Sequence, residues 1–547
     1  MKGLMQRTPL LLSSVLEHAA TNHGGREIVS RMPSGAMHRT DYLGLARRTR
    51  QLAHALDRLG VVKGECVATL AWNGYRHMEL YFGVTGRGGV LHTVNPRLFP
   101  SQIQYMIEHA RDAFVFFDLG FTKLLEGIAP LLPNVRGFVA LADRSEMPVT
   151  TLPNLLCYED LLGSELPEYD WPVLDEDTAS TLCYTSGTTG NPKGVLYSHR
   201  SLLLHAGIGT AADGLALSAR DTVLLVVPLF HVNAWGLPFA GAMTGAKLVL
   251  PGPYLDGKSL FDLMHAEGCT FSVGVPTVWL QFLDHVRARK ADGVLPALQL
   301  RRVMVGGSAA PVSMIAAFDD LLGVTVVQAW GMTETSPIAT VGTLLPHQEA
   351  LPRAERHAIQ ALQGRPVFGV ELRIVDPAGR VLPRDGVAMG EIQVRGPWVV
   401  ERYFRAEAPA AGPDGWFATG DVASLTPDGF VRITDRVKDV IKSGGEWISS
   451  IDLENAATGH PDVAEAAVIG IPHPKWQERP LLLLRCRDGR RPEVAAVLAF
   501  LADKVPRWWL PEEVRFVDEL PHTATGKLLK TRLRELYAAE YSQETVS

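Results

Sequence analysis

At 547 residues the chain is too long for one ordinary core, so two or more domains are expected. With 46% hydrophobic and 20% charged residues the composition is that of a globular protein, and a formal net charge of −6 supplies no basic field for nucleic acid or an anionic membrane. The cysteines, Cys66, Cys157, Cys183, Cys269 and Cys486, are odd in number and scattered without a C-x-x-C pair, which argues against a disulfide framework or a zinc ribbon and fits a reducing, cytoplasmic location. No apolar run approaches eighteen residues, no signal-peptide pattern opens the chain and no peroxisomal S-K-L closes it, so no membrane span is expected.

In chain order, the spacing of apolar residues predicts helix from about 13 to 59, with Leu12, Val15, Leu16 and Ala19 on one face. A second helix starts at Asp41-Tyr42-Leu43 and stops at Gly60. Short apolar strands are expected at 67–70, 90–94 and 114–118, with helices near 77–84 and 101–109 between them. This alternation predicts parallel α/β layers. Gly207 to Ala212 matches G-x-G-x-x-A but is expected after a helix and not after a strand, so it is discounted as a dinucleotide site.

The strand expected at 179–184 leads into Thr185-Ser186-Gly187-Thr188-Thr189-Gly190-Asn191-Pro192-Lys193-Gly194. Small hydroxyl residues and glycine expose successive N–H and O–H donors beside one lysine, an inventory suited to a polyphosphate. A flexible surface turn is the competing reading for any Ser/Thr/Gly cluster. Lys193 is followed by Gly194 and not by the hydroxyl residue of the ordinary P-loop, so a metal would need a ligand from elsewhere in the chain. Strand-to-loop transitions follow at 222–236, carrying His231, Val232 and Trp235; at 271–277; and at 302–311, carrying Gly306, Gly307 and Ser308. His231 and Trp235 read either as ligand contacts at a strand end or as core residues. Trp330-Gly331-Met332-Thr333-Glu334 adds a hard carboxylate oxygen suited to Mg²⁺, unless Glu334 is merely a surface acid. Asp421, after a glycine turn, suits a ribose diol clamp or an ordinary turn.

The run from Thr185 to Gly194 resembles the phosphate-binding signature of the adenylate-forming superfamily, and the later motifs follow in that superfamily's order as far as Lys527. Leu91 to Arg97 and Pro472 to Pro480 narrow the likeness to bacterial medium- and long-chain fatty acyl-CoA synthetases and the very similar 3-(methylthio)propionyl-CoA ligases. The resemblance implies an α/β fold: a large N-terminal domain of layered mixed sheets and helices over 1–434, a hinge at 435–439 around Lys438, and a small mobile α+β domain over 440–547. It assigns Thr185 to Gly190, Lys193, Gly307, Ser308, Trp330 to Thr333, Asp421 and Arg436 to ATP or AMP. It assigns His231, Val232, Trp235 and Gly306 to the acyl pocket, with Trp235 as its gate. Glu334 and Thr185 would hold Mg²⁺, and Lys193, Glu334 and Lys527 would be catalytic. Lys442, Ser443, Gly444, Gly445, Glu446 and Trp447 would form the loop that swings in for thioester formation with CoA. Trp330 stands where many relatives carry tyrosine.

The implied reaction joins a carboxylic acid to AMP and then to CoA. A homodimer is a further expectation of the resemblance. A carrier-loading adenylation domain shares the first half-reaction, although only a short tail follows Lys527. A luciferase-like oxygenase and a non-enzymatic nucleotide binder are the remaining alternatives.

Overall fold

The computed structural model describes residues 1, 3–185, 191–443, 446–522 and 528–541, with backbone only at 446–447 and 538–541. Among these residues the chain forms a seven-stranded and a nine-stranded sheet, a four-stranded sheet and a five-stranded sheet near the C-terminus.

The seven-stranded sheet is parallel through its centre. Strands Cys66–Leu70, Val90–Thr93, Phe114–Phe117 and Ala179–Tyr184 lie within it, and Gly194–Ser198 turns back antiparallel to Ala179–Tyr184. Each of the inner strands is buried along almost its whole length, as expected where helices cover both faces. Helices Tyr75–Gly86 and Pro100–Ala110 occupy the predicted intervals.

The nine-stranded sheet has a parallel centre of Thr222–Leu225, Phe271–Gly274, Arg302–Val305 and Thr325–Gly331. Because neighbouring parallel strands end on the same edge, the segments that follow them gather along one rim. The transition expected to be a loop at 271–277 is shorter than that: helix Pro276–Ala291 starts at once, with Pro276 in its first turn where a missing N–H costs nothing.

One expectation is overturned. The stretch 13–59 is not continuous helix. Helix Leu12–His23 ends, strands Glu27–Arg31 and Met37–Asp41 form a hairpin, and helix Tyr42–Arg58 follows, its start capped by Asp41 Oδ1 accepting from Gly44 N at 2.7 Å. The two helical faces were read correctly. The interruption comes from Glu27-Ile28-Val29-Ser30-Arg31, whose centre pairs with Lys247–Leu250 far along the chain. Gly207 and Gly209 fall inside helix His199–Thr210 and not after it, which leaves them no phosphate-facing turn.

The four-stranded sheet, Glu371–Val375, Gly390–Arg395, Phe417–Leu425 and Val431–Arg436, is antiparallel throughout. The charged stretch at its end is less solvated than its composition suggests, for Thr434 and Asp435 are buried. The C-terminal unit packs helices Ser450–Thr458, Val494–Ala502 and Lys530–Tyr541 with the sheet built on Val463–His473 and Gln477–Cys486, an α+β arrangement as expected. No helix among the described residues is long and apolar enough to cross a membrane.

Candidate active site

Three sheets bring the predicted residues together. From the seven-stranded sheet, Thr185 follows strand Ala179–Tyr184, and its backbone N–H donates to the Lys193 carbonyl at 2.9 Å while its Oγ1 accepts from Lys193 N at 3.2 Å. Thr185 and Lys193, at the two ends of the expected phosphate loop, are thereby held together. Ser186, Gly187, Thr188, Thr189 and Gly190 lie outside the described residues. The Lys193 side chain is exposed, with its ammonium 4.8 Å from the Tyr403 ring centroid.

From the nine-stranded sheet, Thr325–Gly331 carries Trp330, and a tight loop then presents Met332, Thr333 and Glu334. Gly331 is needed there because a Cβ would stand 1.8 Å from the Pro337 carbonyl oxygen. Tyr197, on the returning strand of the other sheet, donates to the Thr333 carbonyl at 2.7 Å and so fastens the two sheets at this point. Glu334 is 7% exposed, and its Oε1 accepts from the Tyr403 hydroxyl at 2.7 Å.

The loop after Arg302–Val305 is held by a residue whose role sequence reasoning missed. Buried Gln328 donates through Nε2 to the Ser308 carbonyl at 3.0 Å and accepts at Oε1 from Ala310 N at 2.8 Å. Its signal in the sequence was faint: one amide beside the apolar run 324–327. Gly307 sits at φ 82°, a left-handed conformation that suits glycine and turns the loop. Gly306 lies against the Trp235 indole, whose nearest ring carbon would be 2.7 Å from an added Cβ. Residues 232–236 form a left-handed turn, with φ of 46°, 52°, 46°, 58° and 78°. Val232 and Trp235 are buried and His231 is half-buried. Buried Asn73 anchors the approach to this turn, donating to the Leu225 and Val227 carbonyls and accepting from Leu229 N.

From the four-stranded sheet, Asp421 meets two of the other residues assigned to the nucleotide. Its Oδ2 accepts from Trp330 Nε1 at 2.9 Å, and its Oδ1 pairs with Arg436 Nε at 2.6 Å. Arg436 also donates to the Thr419 carbonyl. The residues expected to meet adenine and ribose are thus joined by an indole N–H hydrogen bond that a phenylalanine ring at 330 could not make.

Beyond Arg436, Lys438 is exposed in the turn after the strand, and burial together with Arg436 and Arg534 lowers its pKa against the opposing pull of Asp439. The expected CoA loop is a short hairpin: Ile441–Ser443 pairs with Glu446–Ile448, placing Lys442 opposite Trp447 and Ser443 opposite Glu446. Lys442 is exposed and Ser443 buried, while Gly444, Gly445 and Lys527 lie outside the described residues.

The helix that follows Lys527 is tied to the first helix of the C-terminal unit and to the expected hinge. Lys530 Nζ pairs with Glu454 at 2.8 Å and donates to Ser450, whose N–H donates to buried Asp435 at 3.0 Å; Arg534 pairs with Asp439 at 2.7 Å. Burial pushes the Glu454 carboxyl up to about 7 against the pull of Lys530. Burial also opposes the Lys530 charge, yet Glu454 and Asp435 outweigh it and raise the pKa of the ammonium.

Among the described residues there is no cluster of three or more His, Cys, Asp or Glu side chains poised around a metal. The donor set at Glu334 and Thr185 instead fits a hard cation shared with phosphate, since one carboxylate and one hydroxyl leave most positions to phosphate oxygens and water.

Comparison with known proteins accords with this geometry. The AMP-binding enzyme family matches residues 16–404, and the AMP-binding enzyme C-terminal domain matches 452–527. The chain is 49% identical to a 3-methylmercaptopropionyl-CoA ligase of Ruegeria lacuscaerulensis, covering 98% of each chain. It is also 49% identical to a medium-chain-fatty-acid–CoA ligase of Ectopseudomonas oleovorans, again covering 98% of each. Among solved structures, an anthranilate CoA ligase in complex with anthranoyl-AMP superposes with a TM-score of 0.87 at 25% identity, covering 99% of this chain and all of that one. The chain belongs to the AMP-binding enzyme family of the adenylate-forming superfamily as an acid–thiol ligase that uses ATP and CoA.

Proposed function

We propose that the protein activates a medium- or long-chain fatty acid: ATP and the carboxylate give acyl-AMP and pyrophosphate, and CoA then gives acyl-CoA and AMP. The observation that carries this reading is the apolar turn at 232–236 set directly against the nucleotide loop, with Trp235 touching Gly306. A carboxylate delivered past that indole would reach the α-phosphate near Thr333 and Lys193 with its apolar chain pointing away from water.

The roles follow from charge. A carboxylate is a poor electrophile, and joining it to AMP turns one of its oxygens into part of a leaving group. The residues from Thr185 to Lys193 hold the polyphosphate, Trp330 faces the adenine, and Asp421 with Arg436 takes the ribose. Mg²⁺, held by Glu334 and Thr185 with phosphate oxygens, would neutralise phosphate charge as it builds. Lys527 approaches the carboxylate and α-phosphate in the first half-reaction, and the hairpin carrying Lys442 to Trp447 replaces it in the second, by rotation near Lys438. The CoA thiol, with a free-thiol pKa of about 8.5, needs little help to ionise. A cytoplasmic location and a homodimer complete the proposal.

A second reading has equal support from the relatives: a short thioether acid, as the name of the Ruegeria relative implies. Mass-spectrometric detection of acyl-CoA from purified protein, ATP, Mg²⁺ and CoA, with acids from 3-(methylthio)propionate and butyrate through octanoate to palmitate, separates the two. Preference for octanoate or longer supports the fatty-acid reading, and preference for the thioether replaces it with the second. Acyl-AMP without any CoA product would overturn both in favour of carrier loading.

A further inference from the structure

We infer that Tyr403 is a positioning residue for acid activation, holding the Glu334 carboxylate and the Lys193 ammonium side by side while keeping them from pairing with each other. The inference rests on the acyl-adenylate reading above. Glu334 and Lys193 belong to loops of two different sheets, so neither sheet alone fixes their relation. The segment carrying Tyr403 spans the gap. Val400 N donates to the Glu334 carbonyl at 2.8 Å on one side, and Phe404 N donates to the Gly194 carbonyl at 2.8 Å on the other. Between these two backbone anchors, the Tyr403 hydroxyl donates to Glu334 Oε1 at 2.7 Å, and its ring lies 4.8 Å from Lys193 Nζ.

The chemistry of this placement is specific. The exposed Lys193 ammonium and the buried Glu334 carboxylate attract one another, and a direct ion pair would draw both away from the nucleotide. A ring between them gives the ammonium a weaker cation–π partner that phosphate can readily displace. The hydroxyl satisfies one carboxylate oxygen only. That bond falls on Glu334 Oε1, which leaves Oε2 for the hard cation. An ordinary phenol is protonated at neutral pH, so the hydroxyl donates this bond. Groups that orient a metal-ligating side chain in this way are worth roughly 10–100-fold in metal affinity or activity.

The test compares Tyr403→Phe, which keeps the ring and loses the hydroxyl, with Tyr403→Leu, which loses both. Mn²⁺ affinity in the presence of a non-hydrolysable ATP analogue is read by electron paramagnetic resonance, beside ATP–pyrophosphate exchange and thioester formation from supplied acyl-AMP. Tyr403→Phe is expected to weaken Mn²⁺ binding and slow exchange by about tenfold, while thioester formation stays within about twofold. Tyr403→Leu is expected to add a rise in the KM for ATP. Unchanged Mn²⁺ affinity in Tyr403→Phe, or equal loss of both half-reactions, would overturn the inference. If the wild-type protein makes no acyl-adenylate from any acid, the activation reading itself falls, and the Mn²⁺ titration still decides what Tyr403 does.

Discussion

Attack of a carboxylate on a phosphate brings two anions together, so the cations near the α-phosphorus set much of the barrier. Lys193 waits beside Tyr403 at the rim, whereas Lys527 belongs to the C-terminal unit and serves one half-reaction only in the proposed cycle. Lys527→Ala is therefore expected to slow ATP–pyrophosphate exchange by roughly 10²–10³-fold, with thioester formation from supplied acyl-AMP largely spared. Parallel loss of both rates would reject that division of labour. Lys193, Glu334, Asp421 and Trp330 could be nominated from the sequence because each sits in or beside a run of glycine, hydroxyl or acidic residues. Gln328, Asn73 and Tyr403 could not, because their roles exist only as hydrogen bonds across sheets. An amide in an apolar run or a tyrosine among charged neighbours carries no mark of its distant partner.

At the scale of elements, the left-handed turn at 232–236 is the most unusual local feature. Non-glycine residues there adopt a conformation that costs roughly 1–2 kcal/mol each. The surrounding packing must impose it, since Val232, Asn233, Ala234 and Trp235 are all buried. Ala234→Gly relieves backbone strain at the expense of a buried methyl and a floppier unfolded chain, and is expected to stay within about 1 kcal/mol of the parent. Ala234→Val puts a branched side chain into the same left-handed position and is expected to cost more than about 2 kcal/mol. Urea midpoints of the large-domain transition measure both, and equal destabilisation by the two would show that packing and not backbone strain governs the turn. Nothing in His231-Val232-Asn233-Ala234-Trp235-Gly236 announces this geometry. The helices at 12–23 and 42–58 were legible because each carries a 3.6-residue apolar period, but the hairpin between them was hidden, as its strands are short and their partner lies in another part of the chain.

For the whole molecule, the alternation of strand and helix correctly foretold parallel layers, while the number of sheets and their junctions depend on contacts no local pattern encodes. Those layers bury histidines. Burial pushes His77 and His199 down to about 4 and His205 down to about 3. The bonds agree with neutral rings, for His205 Nε2 accepts from Ile338 N and His199 Nδ1 accepts from Leu12 N. Unfolded histidine takes up its proton near pH 6.5 and these rings only far below, so their contribution is present above pH 6.5 and is lost as the pH falls towards 4. Each is expected to cost roughly 2 kcal/mol of stability between pH 7 and pH 5. Melting temperatures across that interval test this, and a flat profile would mean that the rings remain accessible to protons.

The hairpin at 27–41 also bears on how the chain is made. Its first strand joins the nine-stranded sheet beside Lys247–Leu250 and its second forms that edge, and Arg26 Nε donates to the Gly245 carbonyl, 219 residues away. During synthesis at about 5–20 residues per second, that strand must wait roughly 10–40 s before its partner leaves the ribosome. Until then Ile28 and Val29, fully buried in the finished protein, are open to other strands, and Leu248 and Val249 meet the same hazard if the hairpin is late. The segment that the local pattern disguised as helix therefore leaves newly made chains exposed to aggregation, and chaperones are expected to bind it on nascent chains shorter than about 250 residues.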